Sequence, residues 1–287
     1  AFRSVCAWFY WGGESVFLQD ANSLILKTDE LVEILSFVKE QFPGVNRITS
    51  YCRSKTAARK TVAELEKIRE AGLARIHMGM ESGYDPLLEF IRKGATVADH
   101  VEGGKRIVAA GISLCEYIIP GLGGESWSRE HAAATAAAVN AINPDYVRLR
   151  SLQVVKGTGL YERMQNGEFI PQGDEETVRE IRLFIENLTG VRTTIVSDHI
   201  LNLLEEVEGK LPEDRDRILA VIDMYLSLPE QDRMIFRLGR RQGIYRRLTD
   251  LNDPVMYRRL KAVTDEYVPD DAGRFEADLK ELMHHYI

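Results

Sequence analysis

Short apolar runs alternate in the first half of the chain with longer stretches whose apolar residues recur at helical spacing. The runs predict strands over Ser15–Gln19, Arg47–Cys52, Arg75–Met80, Ser113–Ile119 and Tyr146–Leu152. Apolar character on both faces suits buried parallel strands. The intervening helices have readable ends. Thr61-Val-Ala-Glu64 is a capping box and Thr96-Val-Ala-Asp99 its aspartate variant, while Gly72, Gly111 and Gly190 stand where left-handed C-terminal caps are expected. Strand starts roughly 30 residues apart fit βαβ units joined by right-handed crossovers. No Gly-x-Gly-x-x-Gly opens a helix and no P-loop is present, so a dinucleotide fold has no support. The pattern predicts an α/β fold, a closed or partly closed (β/α) barrel over residues 1–190, with its chemistry at the C-terminal strand ends.

Past residue 190 the pattern changes. A further strand is expected at Thr193–Val196, then helices over Ile200–Glu208, Arg215–Leu228, Gln231–Arg241, Val255–Thr264 and Arg274–Tyr286. Pro212, Pro229, Pro254 and Pro269 punctuate them, so residues 191–287 read as a mainly α-helical C-terminal extension. Its six arginines between Arg233 and Arg247 read as a solvated face balanced by acids, with a phosphate or RNA grip as the alternative. At the other end, Ala7–Trp11 is aromatic-rich and fits neither strand nor helix, and a barrel would want a strand before Ser15. Residues are therefore expected to be missing ahead of Ala1.

Bulk properties add little. The 287 residues suit one barrel and an appendage, and 45% hydrophobic with 28% charged residues is ordinary for a globular protein. No apolar run approaches the roughly 18 residues of a membrane span, and no signal peptide is visible, so a cytoplasmic protein is expected. The net charge of −7 gives no pull toward nucleic acid. Cys6, Cys52 and Cys115 are far apart, which argues against a disulfide framework or a Cys-x-x-Cys metal knuckle.

The strand ends supply the candidate chemistry. Gln19, Asp20, Asn22 and Ser23 close the first strand and either bind a small polar ligand or build the turn. Arg53 after the second is a carboxylate or phosphate clamp, or a solvated arginine. Glu81 and Ser82 end the third, where Glu81 needs a charged or hydroxyl partner unless it only caps a helix. Arg92 or Lys93, one helix on, could return to it. His77 reads as a core histidine and Cys52 as a small buried residue. Gly121, Gly123 and Gly124 would let backbone amides approach a ligand, or simply form a turn. Glu116 lies inside an apolar strand, where an unpaired carboxylate is costly. Arg148 and Arg150 share one face of the fifth strand. Pointing inward they must meet an anion, with Glu116 or Glu81 available; pointing outward they reach water.

Four pieces taken together resemble the radical SAM superfamily, in the branch of elongator-type, methylthiotransferase-like and coproporphyrinogen-dehydrogenase-like enzymes. They are Phe-Leu-Gln-Asp-Ala-Asn at 17–22, Gly-Met-Glu-Ser-Gly at 79–83, Ile-Pro-Gly-Leu-Gly-Gly-Glu at 119–125 and Lys-Gly-Thr-Gly-Leu-Tyr at 156–161. The resemblance runs from about Val16 to Tyr161. It implies a partial (β/α)6 TIM-like barrel that binds a [4Fe-4S] cluster and S-adenosylmethionine (SAM). Reductive cleavage of SAM would give a 5′-deoxyadenosyl radical that takes hydrogen from a substrate. An electron donor such as flavodoxin or ferredoxin and a small-molecule substrate are the partners implied, and a membrane is not among them. Residue by residue, Gln19 and Asp20 match the amine-holding strand end, and Glu81 with Ser82 the ribose or methionine contact. Lys93, with Arg53 as a second, matches a cation near the methionine carboxylate. Gly121–Gly124, Glu116 and the backbone of Leu152–Val154 match the lining of the adenosine.

Two departures stand beside this. Gly12-Gly13-Glu14 looks like an amine-binding motif but precedes its strand. The defining Cys-x-x-x-Cys-x-x-Cys loop is absent, and Cys6, Cys52 and Cys115 do not replace it. The cluster cysteines are expected upstream of Ala1. The readings left beside a radical enzyme are a cluster-free, phosphate-binding barrel enzyme and a degenerate, non-catalytic barrel.

Overall fold

The computed structural model describes residues 2–19, 21–267 and 272–284. Its chain falls into two compact units. The first comprises Ala1–Ile118, Ala137–Val147 and Gly190–Thr193, so the boundary expected near residue 190 falls where the chain returns to this unit. The second holds the rest.

The first unit opens with α1 (Phe2–Tyr10), so the aromatic stretch that looked like neither element is helical up to Tyr10. Trp8 explains why: its Nε1 donates to the Ser15 carbonyl at 2.7 Å, and its ring meets Phe42 edge-on at 5.4 Å. Then follow β1 (Ser15–Leu18), α2 (Thr28–Gln41), β2 (Arg47–Cys52), α3 (Ser54–Ala57), α4 (Val62–Glu70), β3 (Leu73–Glu81), α5 (Asp85–Phe90), α6 (Val97–Ala109) and β4 (Ser113–Ile118). β1 to β4 are parallel and neighbour each other in chain order, as right-handed crossovers require.

The helix starts are built as their sequences predict. Thr61 N–H donates to Glu64 Oε2 at 2.8 Å while Glu64 N–H donates to Thr61 Oγ1 at 3.2 Å. Thr96 and Asp99 repeat this at 2.8 and 3.2 Å. Gly72 (φ 123°) and Gly111 (φ 73°) end α4 and α6. α6 packs tightly because Gly103 has no side chain: a Cβ there would lie 2.7 Å from the Ser54 carbonyl oxygen.

The second unit carries most of α7 (Gly124–Ile142, kinked at Trp127), the end of β5 (Tyr146–Leu149), α8 (Gly159–Gln165), α9 (Asp174–Asn187), β6 (Thr194–Val196), β7 (Gly209–Lys210), α10 (Arg215–Ser227), α11 (Glu230–Arg241), α12 (Pro254–Thr264) and α13 (Ala272–His284). Gly190 is left-handed, but α9 already ends at Asn187, so it is not that helix's cap. β6 pairs antiparallel with β7. No helix among the described residues is long and apolar enough to cross a membrane.

The helix expected over Ile200–Glu208 is not formed. Its leucines are spaced like a helical face, but its carbonyls find other donors. Arg240 donates to the carbonyls of Leu203 at 2.9 Å and Asn202 at 2.7 Å, and Arg241 to that of Leu201 at 2.7 Å. Three of the six arginines, Arg237, Arg240 and Arg241, are therefore buried clamps and not a solvated face. Arg237 and Arg241 straddle Asp174 at 2.9 and 2.6 Å, and Arg237 also reaches Glu276 at 2.6 Å.

Candidate functional site

Glu81 is the last residue of β3, and two backbone features aim it. The β3–β4 register gains a residue between Gly79↔Tyr117 and Glu81↔Ile118, a bulge of the kind that re-aims a side chain. Glu81 itself has φ 63°, a conformation that costs a non-glycine residue about 1 kcal/mol or more. The result is an ion pair with Lys93 at 2.9 Å, both side chains about three-quarters covered. Lys93 returns because Arg92, at φ 55°, ends the helical turn and lets Lys93 N–H bond the Leu88 carbonyl. Gly79 gives the pair its room, since a Cβ there would lie 2.3 Å from Glu81 Oε1 and 3.3 Å from Lys93 Nζ. Ser82 is buried, and its Oγ accepts the Tyr84 N–H at 3.0 Å.

Side chains alternate across these strands. One face carries Phe17, Tyr51, His77 and Tyr117, with ring centroids 4.8–6.4 Å apart. His77 is thus part of an aromatic layer, and its Nδ1 lies 3.0 Å from Tyr117 Oη. Glu116 lies on the opposite face of β4, level with Met78. It is fully buried, and neither carboxylate oxygen has a hydrogen-bond partner. Burial first, and then Glu81, push its carboxyl well above the ordinary carboxylate range, against the pull of Lys93.

The β1 end is stitched to the β2 end. Asn22 Oδ1 accepts the Arg53 N–H at 3.1 Å, Asn22 Nδ2 donates to Thr56 at 2.9 Å, and Ser50 donates to Ser23 at 2.7 Å. Gln19 and the Arg53 side chain are exposed there, and Asp20 lies outside the described residues. Among the described residues no group of His, Cys, Asp and Glu could hold a metal. Cys6 is exposed; Cys52 is buried, which pushes its thiol up to about 12. The cysteines present do not fit a cluster.

In the second unit the glycine-rich turn is buried and held from within. Glu180, on the otherwise apolar face of α9, accepts the Gly121 N–H at 2.7 Å and the Gln172 Nε2–H at 2.6 Å. His131 Nε2 donates to the Ile119 carbonyl at 3.1 Å and lies 3.5 Å from Glu180. Gln172 Nε2 also donates to the Gly124 carbonyl at 2.8 Å. The Gly121 amide is thus engaged by Glu180, whereas the sequence left it open to a ligand. Arg148 and Arg150 likewise meet Asp198, at 2.8 and 3.4 Å. That anion is neither of the two glutamates expected. Beside the turn lies a cavity of about 320 Å³ that Pro120, Gly121, Leu152–Val154 and α13 help to line. Sequence reasoning passed over Glu180, His131 and Gln172; a lone acid on the apolar stripe of α9 was the available signal.

Residues 7–136 match the model of the radical SAM superfamily. A tRNA uridine(34) acetyltransferase of Methanocaldococcus jannaschii is 27% identical over 119 residues, 41% of this chain and 22% of the relative. An uncharacterized protein of the same organism is 31% identical over 114 residues, 40% of this chain and 35% of its own length. This chain thus spans between about a fifth and a third of these curated relatives. Among solved structures, the archaeal Methanocaldococcus infernus Elp3 with an N-terminal deletion superposes with a TM-score of 0.51 at 19% identity, covering 64% of this chain and 48% of that one. That likeness gives the fold, a partial TIM-like (β/α) barrel. Residues 7–136, a little under half of the chain, are thus similar in sequence to the radical SAM superfamily, an enzyme superfamily, and the fold agrees with that likeness.

Proposed function

We propose that this chain is the SAM-binding core of a radical SAM enzyme, and that the Glu81–Lys93 pair receives the methionine end of SAM. The observation that carries this is the aimed, strained Glu81 beside Lys93 at a strand end. Strain of that kind persists where the surrounding structure enforces it, and it clusters at ligand sites. The methionine end carries one ammonium and one carboxylate, and the pair offers one anion and one cation at matching positions. Gly79 supports the fit, because the room it leaves lets both side chains reach one spot. Gln19, Asp20 and Arg53 are further contacts we assign to the polar end, and Ser82 to the shaping of the Glu81 turn. Glu116 and Arg148 stay outside this set, the first for its position on the opposite face, the second for its engagement by Asp198.

When bound, a [4Fe-4S] cluster supplies the electron for SAM cleavage in this superfamily. The residues described here support a SAM-binding reading, and among them the cysteines do not gather into a cluster ligand set. The substrate is proposed only as a molecule that gives up a hydrogen atom. The tRNA in the names of the curated relatives is the first to assay, beside small molecules.

SAM added in large excess over its Kd should raise the melting temperature by several degrees, because a ligand that binds only the folded state stabilises it by mass action. An unchanged melting temperature across a concentration series would remove the reading.

A further inference from the structure

The cavity of about 320 Å³ lies within the second unit, since every residue that lines it belongs there. One helical face of α13 walls it: Glu276, Leu279, Lys280 and Met283 stand at the spacing of neighbours along one side of a helix. The charges on the lining do not balance. Of its two acids, Asp174 is held by Arg237 and Arg241, and Glu276 by Arg237. Of its three cations, Arg241 is engaged by Asp174 and Arg150 by Asp198. Lys280 has no ion pair among the described residues. The lining therefore has a place for one more negative charge.

An acceptor is unmatched as well. Gln172 lines the cavity, and Gln172 Oε1 is buried without a donor. The orientation of that amide is fixed by its other end: Nε2 donates to the Gly124 carbonyl and to the Glu180 carboxylate. A flipped amide would set its oxygen against two acceptors. A buried acceptor without a donor is costly, so a ligand that brings an N–H or O–H is favoured. Leu152, Val154, Ile181, Leu279 and Met283 add apolar walls, and the volume is at the size of small-molecule pockets. A single lysine suits a carboxylate, whereas a phosphate dianion calls for more donors.

We propose that this cavity binds a small monocarboxylic acid with an apolar body, that Lys280 receives its carboxylate, and that Gln172 Oε1 takes an N–H or O–H of the same molecule. Lys280 and Gln172 are the specificity-determining residues of this separate site. The inference does not rest on the SAM reading, because its residues all belong to the second unit and its test contains no SAM.

Calorimetric titration of the whole chain with three probes tests it. They are N-acetyl-L-phenylalanine, its carboxamide, which lacks the charge, and O-acetyl-L-phenyllactate, which keeps the acid and has an oxygen in place of the N–H. Wild type should bind the acid about threefold or more tightly than the carboxamide, the value of a partly exposed ion pair, and salt should shrink that ratio. It should bind the acid about fivefold or more tightly than the phenyllactate, the value of one hydrogen bond to a buried acceptor. Lys280→Met should abolish the first preference and keep the second with the melting temperature unchanged, because Lys280 is exposed and pairs with no carboxylate among the described residues. Gln172→Leu should do the reverse. Because Gln172 also anchors the turn, the two acids on wild type read the same contact without a substitution. Equal binding of acid and carboxamide by wild type overturns the anion seat, and an acid preference that survives Lys280→Met overturns this cavity as its place. Equal binding of the two acids overturns the role of Gln172. No heat from any of the probes overturns the proposal as a whole, whereas a failure of SAM to bind would leave it standing.

Discussion

Two carboxylates taken out of water, one in each unit, end in opposite states. Glu116 on β4 is fully buried without a hydrogen-bond partner, and burial with Glu81 nearby pushes its carboxyl well above the ordinary value. Asp174 opens α9 with about a fifth of its side chain exposed. Burial works to raise it as well, but Arg241 and Arg237 outweigh burial and hold it below the ordinary value. Burial therefore does not fix the charge of an acid; the partners do. Asp174 is a structural anion that ties α11 to α9. Glu116 is a buried carboxyl whose charged form burial disfavours, and neither of its oxygens makes a hydrogen bond that stability would miss.

Replacement at the two sites should thus move stability in opposite directions. Asp174→Ala takes from buried Arg241 its anion and leaves buried Arg237 with Glu276 alone, and should cost about 3–5 kcal/mol, read from the urea midpoint at neutral pH. The same group predicts the acid limb. Its contribution is fully present above the ordinary value of 3.8 and is lost as pH falls through its lower folded value. Wild type should lose stability in that acid window more steeply than Asp174→Ala.

Glu116→Gln should be the smaller effect, of the other sign. A raised carboxyl contributes stability that is fully present below the ordinary value of 4.5 and lost as pH rises through the folded value. The glutamine variant escapes that loss and should gain stability at neutral pH, with no gain at acid pH. A loss at neutral pH would mean that Glu116 has an anionic role.

Gly79→Ala comes last on the stability scale, within about 1 kcal/mol, because the atoms its Cβ would meet are the far ends of flexible side chains. It should instead displace the Glu81–Lys93 pair and weaken SAM binding, measured by titration. A variant that binds SAM like wild type would show that this room is incidental.

The same contrast explains what could be read from the sequence. The first unit repeats one βα unit with local signals: apolar runs gave Arg47–Cys52 with its observed bounds and the other strands within a few residues, and the capping boxes at Thr61 and Thr96 formed as written. The second unit depends on distant partners. Nothing local in Leu201–Leu204 says that its carbonyls will bond Arg240 and Arg241, some 40 residues later, so leucine spacing was read as a helix. The two-residue β7 is too short to leave a pattern. At the site, Arg92 and Lys93 were equal candidates for Glu81 until the left-handed Arg92 turned Lys93 toward it. The face of Glu116 depended on strand phase, and the Glu180–Gly121 bond joins residues 59 apart.

The most direct test of the central claim is a calorimetric titration of SAM into wild type, Glu81→Gln and Lys93→Ala. The pair is partly exposed, so its loss should leave stability within about 1 kcal/mol. Wild type should bind SAM, and each variant should bind it about tenfold or more weakly, since charged groups of the ligand lose their counterpart. Variants that bind SAM as tightly as wild type would contradict the account.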